Sequence, residues 1–264
     1  MSRWLLFPIL LATQWWASGC DPNPAEPVVD PPSFHVGQRW VYTYDAVMQD
    51  SLGGILNAYH DSIEVRVAAV GDTVLGMSGL VRMEARSLPP FFFPGPWPGI
   101  ESVWYQATST SLIEVAYRNP GAVPVVVLSV GDRTRKLAFG SFFEPLRSVR
   151  MEASSDTTQL RDEPRIVLKY PLKKGAAWDA FHVPFLQTRE VVAIEKIRSL
   201  GRDLSTARIR TTIPEFSPGI EWDDWVSPIG LVRRFIKVTL EMTDENMNFL
   251  GKFTSTETLE LVAM

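Results

Sequence analysis

The chain has one cysteine, Cys20, and three histidines in 264 residues. A single cysteine excludes a disulfide within the chain, so packing and strand pairing must stabilise it. The histidines, His35, His60 and His182, stand at no spacing typical of metal ligands. The sequence contains neither a Gly-x-Ser-x-Gly elbow nor a phosphate-binding glycine loop. We therefore predict no catalytic residue, no metal site and no cofactor.

The chain also lacks a large net charge of either sign. Lys and Arg number 26 against 30 Asp and Glu, a formal net charge of −4. Nucleic-acid binding needs a basic patch to face the phosphates, so this mildly acidic balance argues against it. The hydrophobic fraction of 45% suits a globular core and excludes a largely disordered chain. Beyond the N-terminal segment, no apolar run reaches the roughly 20 residues that span a bilayer.

The N-terminal segment, MSRWLLFPILLATQWWASGC, has the order of a secretory signal peptide. Arg3 supplies a positive charge, residues 4–16 are mostly apolar, and residues 17–19 are small. We predict that residues 1–19 are a signal peptide. A weak membrane anchor or a buried N-terminal helix is the alternative.

Ala17-Ser18-Gly19-Cys20 resembles the lipobox of bacterial lipoproteins, with Ala17 where leucine is usual. The resemblance implies cleavage before Cys20, a thioether from its thiol to diacylglycerol, and acylation of the new N-terminus, for example with palmitate. It further implies a membrane partner, through those acyl chains, in the cell envelope outside the cytoplasm. Asp21 resembles a retention signal for the inner membrane, but that rule does not hold in all bacteria. The choice between inner and outer membrane stays open.

Five prolines crowd residues 21–32, DPNPAEPVVDPP. Proline fixes φ and lacks an N–H, so the strip favours an extended polyproline conformation. We predict that residues 20–33 form the lipidated cysteine and a semi-rigid tether. An ordered lead-in to the first strand is the alternative.

Most of the remaining chain alternates apolar and polar residues with the period of half-buried strands, as in SIEVRVAAV at 62–70 and LVRMEARS at 80–87. We predict a mostly β protein with an antiparallel curved sheet, or an open or half barrel, and little helix. Residues 136–153 are the main helical candidate.

Several segments recur in the same order in both halves. Gly37-Gln38-Arg39-Trp40 matches Gly175-Ala176-Ala177-Trp178, and residues 61–75, 80–87 and 101–117 match 188–200, 205–212 and 221–236. This predicts two duplicated β units, 34–130 and 168–264, with a connecting region at 131–167. Chance similarity among strands, with 34–264 as one domain, is the alternative.

Two stretches, YPLKKGAAWDA at 170–180 and DDWVSPIGLVRRF at 223–235, resemble segments of exported bacterial envelope proteins of unknown function. The resemblance implies an open or half-closed antiparallel barrel and no particular activity. In each Gly-x-x-Trp turn we expect a positive φ at glycine and a buried tryptophan whose N–H meets a carbonyl. Four tryptophans are predicted to be structural, with ligand stacking as the alternative: Trp40, Trp104, Trp178 and Trp225.

The proline-rich segment PPFFFPGPWPGI at 89–100 carries Phe91, Phe92, Phe93 and Trp97. Its prolines exclude a central strand. Exposed, these four side chains would form an apolar ligand or docking surface. Folded inward, they would form a buried lid.

Two charged groups are also candidate sites. Glu221, Asp223 and Asp224 could supply the paired carboxylates of a sugar hydrolase, but acids at a strand start are expected to face solvent. Arg233 and Arg234, beside Lys237, could bind an anionic head group, although a solvated strand face is the simpler expectation.

The sequence thus favours a non-enzymatic envelope lipoprotein whose β body binds an apolar, lipid-like ligand or a partner protein. A structural docking component of the envelope and a glycan or lipid hydrolase are the alternatives.

Lipidation of Cys20 can be tested by growing cells that make the full-length protein with radioactive palmitate. We expect label on the wild type and none on Cys20→Ser, because the substitution removes the thiol that forms the thioether. An unlabelled wild type would contradict the lipobox interpretation.

Overall fold

The computed structural model describes residues 28–88, 100–118, 125–130, 133–138, 143, 147–148, 157–183, 185–217, 219–243 and 249–264. Nearly all regular structure in these ranges is antiparallel strand, and the exception is one 3-10 turn at Pro214–Phe216. The prediction of a mostly β protein with a curved antiparallel sheet is confirmed. No helix in these ranges combines the length and the apolar character that crossing a bilayer requires.

Fifteen strands occur in the described ranges. They are β1 (Arg39–Gln49), β2 (Ile55–Val74), β3 (Met77–Ser87), β4 (Glu101–Ala107), β5 (Ser111–Arg118), β6 (Val125–Val130), β7 (Arg133–Ala138), β8 (Arg147–Ser148), β9 (Gln159–Lys169), β10 (Ala177–Phe181), β11 (Gln187–Ser199), β12 (Arg202–Thr212), β13 (Ile220–Ser227), β14 (Gly230–Thr243) and β15 (Phe249–Ala263).

Twelve of these strands form one sheet that curls into a nearly closed barrel. The sheet order is β10-β11-β12-β13-β14-β15-β1-β2-β3-β4-β5-β9, so almost every strand pairs with its neighbour in sequence. The first and last strands in chain order, β1 and β15, pair with each other, with Val41 opposite Ala263. The two edge strands, β9 and β10, lie side by side without a hydrogen-bonded ladder and leave one seam.

The helical prediction for 136–153 is wrong where the structure describes it. Residues 136–138 belong to β7, residues 147–148 form β8, and both lie in a separate three-stranded sheet of order β6-β7-β8. Val125 pairs with Ala138 and Val130 with Arg133. Pairing with the valine-rich β6 therefore decides the conformation, against a local helical tendency that Gly140 and Pro145 already weaken.

The two halves of the barrel correspond strand for strand. β1–β5 with β9 form one run of six neighbouring strands, and β10–β15 form the other. The matched segments 61–75 and 188–200 fall on β2 and β11, and both end in a Leu-Gly hairpin with positive φ at both residues, 46° and 87° at Leu75 and Gly76, 53° and 73° at Leu200 and Gly201. The predicted connecting region contains most of β9, which belongs to the first run.

The two Gly-x-x-Trp turns also make equivalent hydrogen bonds. The Gly37 N–H donates to the Val67 carbonyl at 2.9 Å, and the Gly175 N–H donates to the Val191 carbonyl at 2.8 Å. The two glycines have φ of 84° and 81°. A turn of this kind needs positive φ at its third position, which glycine adopts without strain.

Side chains bridge the seam where the backbone ladder is missing. Trp178 Nε1 donates to the Ile166 carbonyl of β9 at 3.0 Å, and Arg189 Nη1 donates to the Val167 carbonyl at 2.5 Å. Farther along, Glu163 of β9 accepts hydrogen bonds from the His182 backbone N–H at 3.1 Å and from its ring, 2.5 Å away. Hydrogen bonds made by side chains on both sides of the seam therefore hold the edges of β9 and β10 together.

The predicted tether is shorter than residues 20–33. Val29 is buried and pairs with Leu172 through backbone hydrogen bonds of 3.0 and 3.2 Å. Residues 28–34 therefore form an ordered lead-in along the barrel, because Val29 gains more from burial than from extension into water. Residues 20–27, with Cys20, lie outside the described residues.

We expect Gly37→Ala and Gly175→Ala each to lower the free energy of unfolding by about 1–2 kcal/mol, the cost of a left-handed backbone for a residue with a Cβ. An added Cβ meets no atom within 4 Å at either site, so backbone conformation alone sets the loss. Urea denaturation measures it.

Gly37→Asn is the matched control, because asparagine tolerates positive φ better than alanine. It should lose less stability than Gly37→Ala. Equal losses of stability for the two variants would contradict the positive φ at Gly37.

Candidate functional site

The barrel interior is apolar at two levels with a charged layer between them. On β13 the inward residues are Trp222, Asp224 and Val226, and Val226 belongs to the main core while Trp222 belongs to a smaller one. The smaller core consists of Phe185, Ile213, Trp222, Ile236 and Val238. Asp224 therefore interrupts a continuous apolar face, and burying its charge requires strong partners.

Two buried arginines supply those partners. Arg234 of β14 donates from Nε to Asp224 Oδ1 at 2.6 Å and from Nη2 to Asp224 Oδ2 at 3.3 Å. Arg189 of β11 donates from Nη2 to the same Oδ2. Asp224 and Arg189 are 2% and 5% exposed, so little solvent screens the three charges.

The electrostatics follow from this geometry. Burial alone would raise the pKa of Asp224, but the charges of Arg234 and Arg189 and hydrogen bonds from Arg234 and Trp222 outweigh it and hold the pKa below its ordinary value. Burial lowers the pKa of Arg189 to about 10 despite Asp224, so its guanidinium stays charged at neutral pH. Both guanidinium carbons lie 5.6 Å from the Trp222 ring centroid, which adds a cation–π contact for each arginine.

A second buried ion cluster lies across β5 and β9. Glu114 accepts hydrogen bonds from Arg165 Nη2 at 2.6 Å and from Arg161 Nε at 2.8 Å. Arg165 Nη2 also donates to the Phe143 carbonyl at 2.8 Å, so it fixes that residue against the interior. Phe143 packs edge-on to Tyr105, with ring centroids 6.2 Å apart.

A cavity of about 110 Å³ lies inside the barrel, next to the first charged cluster. Its walls are mainly aromatic and aliphatic, and its charged lining comprises Arg189, Asp224 and Arg234. A volume of this order accommodates one benzene-sized molecule. The uncharged lining consists of Pro32, Phe34, Trp40, Tyr42, Val65, Met83, Tyr105, Leu112, Phe143, Val167, Leu168, Val226, Gly230 and Leu231.

The structure describes only some of the predicted site residues. Cys20, Phe91, Phe92, Phe93 and Trp97 lie outside the described residues. The described residues on either side of the phenylalanine-rich segment belong to β3, which ends at Ser87, and to β4, which begins at Glu101.

The four tryptophans divide between the interior and the outer face. Trp40 lines the cavity and donates from Nε1 to the Ile229 carbonyl at 2.7 Å. Trp178 is buried in the same core. Trp104, on the other face of the sheet, is buried in a separate apolar cluster with Val74, Leu80, Val115 and Ala116, and its Nε1 donates to the Asp72 carboxylate at 3.0 Å. Trp225 is half-buried, and its Nε1 donates to Glu195.

The solvent-facing expectation holds for Glu221 and for the partly exposed Arg233 but is wrong for Asp223, Asp224 and Arg234. Asp223 and Asp224 are buried, and Asp224 and Arg234 point into the barrel. The missed signal was the phase of the alternation: in Val232-x-Arg234-x-Ile236 the arginine shares a face with the apolar residues on either side. Arg189 similarly stands in phase with buried Val191.

No group of three or more His, Cys, Asp or Glu side chains within the described ranges could hold a metal ion. No protein-family model, curated protein or solved structure matches the chain. Its function must therefore be argued from the cavity and its lining.

We expect Asp224→Ala to lower the free energy of unfolding by about 3–5 kcal/mol, because it leaves two buried guanidiniums without their carboxylate. Asp223→Ala is the control, because Asp223 pairs with Arg210, whose side chain is 46% exposed. Losing that pair should cost clearly less, because the guanidinium of Arg210 that is left behind remains in contact with water. Equal losses in urea denaturation would contradict the inward placement of Asp224.

Glu257 gives the barrel a distinct pH dependence. Burial raises its pKa from 4.5 to about 7, against a hydrogen bond from Tyr44 and the charge of Arg234. The unfolded chain therefore loses this proton at lower pH than the folded chain, and stability falls as pH rises from about 4.5 to about 7. The fall amounts to about 2–3 kcal/mol.

Glu257→Gln imitates the protonated carboxyl and should remove that decline. Its advantage over the wild type should therefore grow between pH 5 and pH 8 in urea titrations. Glu260→Gln, on the exposed face of the same strand, should follow the wild type throughout. A constant difference between Glu257→Gln and the wild type would contradict the raised pKa.

Proposed function

We propose that this protein is a membrane-anchored envelope lipoprotein whose barrel binds an apolar, lipid-like ligand without transforming it. The observation that carries the proposal is the interior cavity of about 110 Å³ with aromatic and aliphatic walls. Small-molecule sites are typically concave, mostly apolar and furnished with a few convergent polar groups. The cavity has this composition.

The position of the cavity supports ligand entry. Pro32 and Phe34, two of its lining residues, belong to the ordered lead-in and are half-buried. They lie over the end of the barrel where β1 begins and where the β4–β5 and β13–β14 turns occur. We therefore propose entry from this end, where a ligand would meet these side chains and not the hydrogen-bonded ladders.

The anchor is argued from sequence. The signal-like residues 1–19 and the lipobox-like Ala17-Ser18-Gly19-Cys20 support attachment through acyl chains on Cys20. One acyl chain binds a membrane only marginally, whereas two or three hold a protein there stably. With residues 28–34 packed on the barrel, the tether that remains comprises residues 20–27, so the body would stay close to the lipid surface.

No observation favours the hydrolase alternative at this cavity. A glycosidase needs two carboxyl groups about 5–9 Å apart. The cavity lining supplied by the described residues has one carboxylate, Asp224, and two arginines hold it. The docking alternative rests on the phenylalanine-rich segment, which lies outside the described residues.

Ligand binding can be tested by native mass spectrometry of the protein isolated from cells. We expect a lipid-like adduct on the wild type and none on Leu231→Trp, because the indole fills the cavity. Leu160→Trp, at a leucine that is 42% exposed, is the matched control and should keep the adduct. A wild type without an adduct, or an adduct unaffected by Leu231→Trp, would contradict the proposal.

A further inference from the structure

One end of the barrel is joined to the tether. The lead-in meets the body where Val29 pairs with Leu172 of the β9–β10 turn. The proposed lipidation site, Cys20, precedes Val29 by nine residues, and an extended chain of that length spans about 30 Å. The eleven residues of β9 alone are about 36 Å long. The opposite end of the barrel could therefore face the lipids only if the whole tether were stretched along the barrel wall, and the geometry favours the tether end.

Three turns at the tether end are connected to one another. The Tyr170 N–H of the β9–β10 turn donates to the Thr110 carbonyl of the β4–β5 turn at 2.7 Å. The β2–β3 hairpin packs on the outer face of β4, where Val74 and Leu80 meet Trp104 in an apolar cluster. Since all neighbouring strands are antiparallel, these three turns lie at the same end of the sheet. The tip of the β2–β3 hairpin is therefore on the side of the body that the tether brings toward the lipids.

That tip, Leu75-Gly76, carries an unusual leucine. Leu75 is 59% exposed, and its φ is 46°. A positive φ is strained for a bulky side chain, and hairpins of this kind prefer asparagine followed by glycine. Val70, on the same hairpin, is 50% exposed. Neither backbone conformation nor burial within the chain accounts for a leucine at this tip, which indicates a contact outside the chain.

The equivalent hairpin of the second half shows a leucine with an internal role. Leu200 occupies the corresponding position between β11 and β12, with φ of 53°. Its side chain is half-buried and packs against the main core. The strain at Leu200 is thus offset by burial within the barrel, whereas Leu75 has no such compensation in the chain.

Charges around the tether end nearly balance. On the β2–β3 hairpin, Asp72 pairs with Arg82 at 3.6 Å. The exposed cations of the other turns at this end are Lys169, Lys173, Lys174, Arg198 and Arg202, and the acids of these turns and of the tether are Asp21, Glu26, Asp30 and Asp203. With so small an excess of positive charge, attraction to anionic head groups would be weak. The contact must therefore be apolar.

We propose that the tether end of the barrel rests on the bilayer and that Leu75 inserts among the lipids that hold the acyl chains of Cys20. The inference rests on the proposed function, because it requires the anchor. Hydrocarbon would bury the leucine side chain that the body leaves in water. The proposed entrance of the cavity lies at the same end, so it faces the lipids, and a ligand passes from the bilayer into the barrel without crossing bulk water.

Spin labels at opposite ends of the barrel test this orientation. In the lipidated protein Cys20, the one cysteine of the chain, is blocked by its thioether, so a nitroxide reacts only with an introduced cysteine. Leu75→Cys places the label at the proposed contact. Leu52→Cys is the matched control, because Leu52 is a 94% exposed leucine in the β1–β2 turn at the opposite end. The full-length proteins are placed in phosphatidylcholine nanodiscs, and electron paramagnetic resonance measures collisions of each label with oxygen and with a water-soluble nickel chelate.

We expect the ratio of oxygen to nickel collisions to be at least about three-fold higher at position 75 than at position 52, because oxygen concentrates in hydrocarbon and the chelate stays in water. Adding phosphatidylglycerol should leave this ratio unchanged, and a rise would contradict an apolar contact. Equal ratios at the two positions, in a protein that stays on the nanodiscs, would overturn the inference and leave the anchor intact. A full-length protein that does not stay on the nanodiscs would overturn the proposed function together with the inference.

Leu75→Asn separates a membrane contact from a structural role. Asparagine is polar and tolerates positive φ, so Leu75→Asn should not lower the urea midpoint, whereas Leu200→Asn should lower it because Leu200 packs against the main core. In nanodiscs, a label on Val70→Cys should show a lower oxygen-to-nickel ratio when Leu75→Asn is also present. A loss of stability in Leu75→Asn as large as that in Leu200→Asn, or an unchanged ratio at position 70, would contradict the inference.

Discussion

Asp224 shares its carboxylate between Arg189 and Arg234, and the architecture of the interior depends on this interaction. The three residues stand on β13, β11 and β14, so one anion ties together strands that are not all neighbours. None of the three could remain charged inside an apolar barrel alone, because desolvation of a lone ion costs several kcal/mol. Together they form a polar floor that ends the main core.

Because of this floor, the cavity is charged at one end and apolar elsewhere. Above it lie Trp40, Tyr42 and Tyr105, whose rings cannot hydrogen-bond the charged groups through their faces, and the space between remains apolar. Trp40 and Tyr42 have their polar atoms engaged elsewhere, with the Ile229 and Leu231 carbonyls at 2.7 and 2.9 Å. A molecule entering this space would meet hydrocarbon first and charge last, which is the polarity of an amphipath.

The sequence was sufficient for the class of fold and for its turns, because these depend on local signals. Period-two alternation identified the strands, and the Gly-x-x-Trp segments identified equivalent turns at Gly37 and Gly175. It was insufficient for the site, because whether Arg234 faces in or out depends on a register that only pairing with β13 and β15 decides. Bulges such as that between Trp225 and Val226 shift that phase locally.

Pairing of β1 with β15 joins two strands that are far apart in the sequence. During synthesis β1 is made well before its partner β15, so one edge of the growing sheet stays uncovered until β15 has been made. An uncovered edge readily pairs with other chains. The barrel can therefore close only once the fifteen-residue strand β15, Phe249–Ala263, is in place.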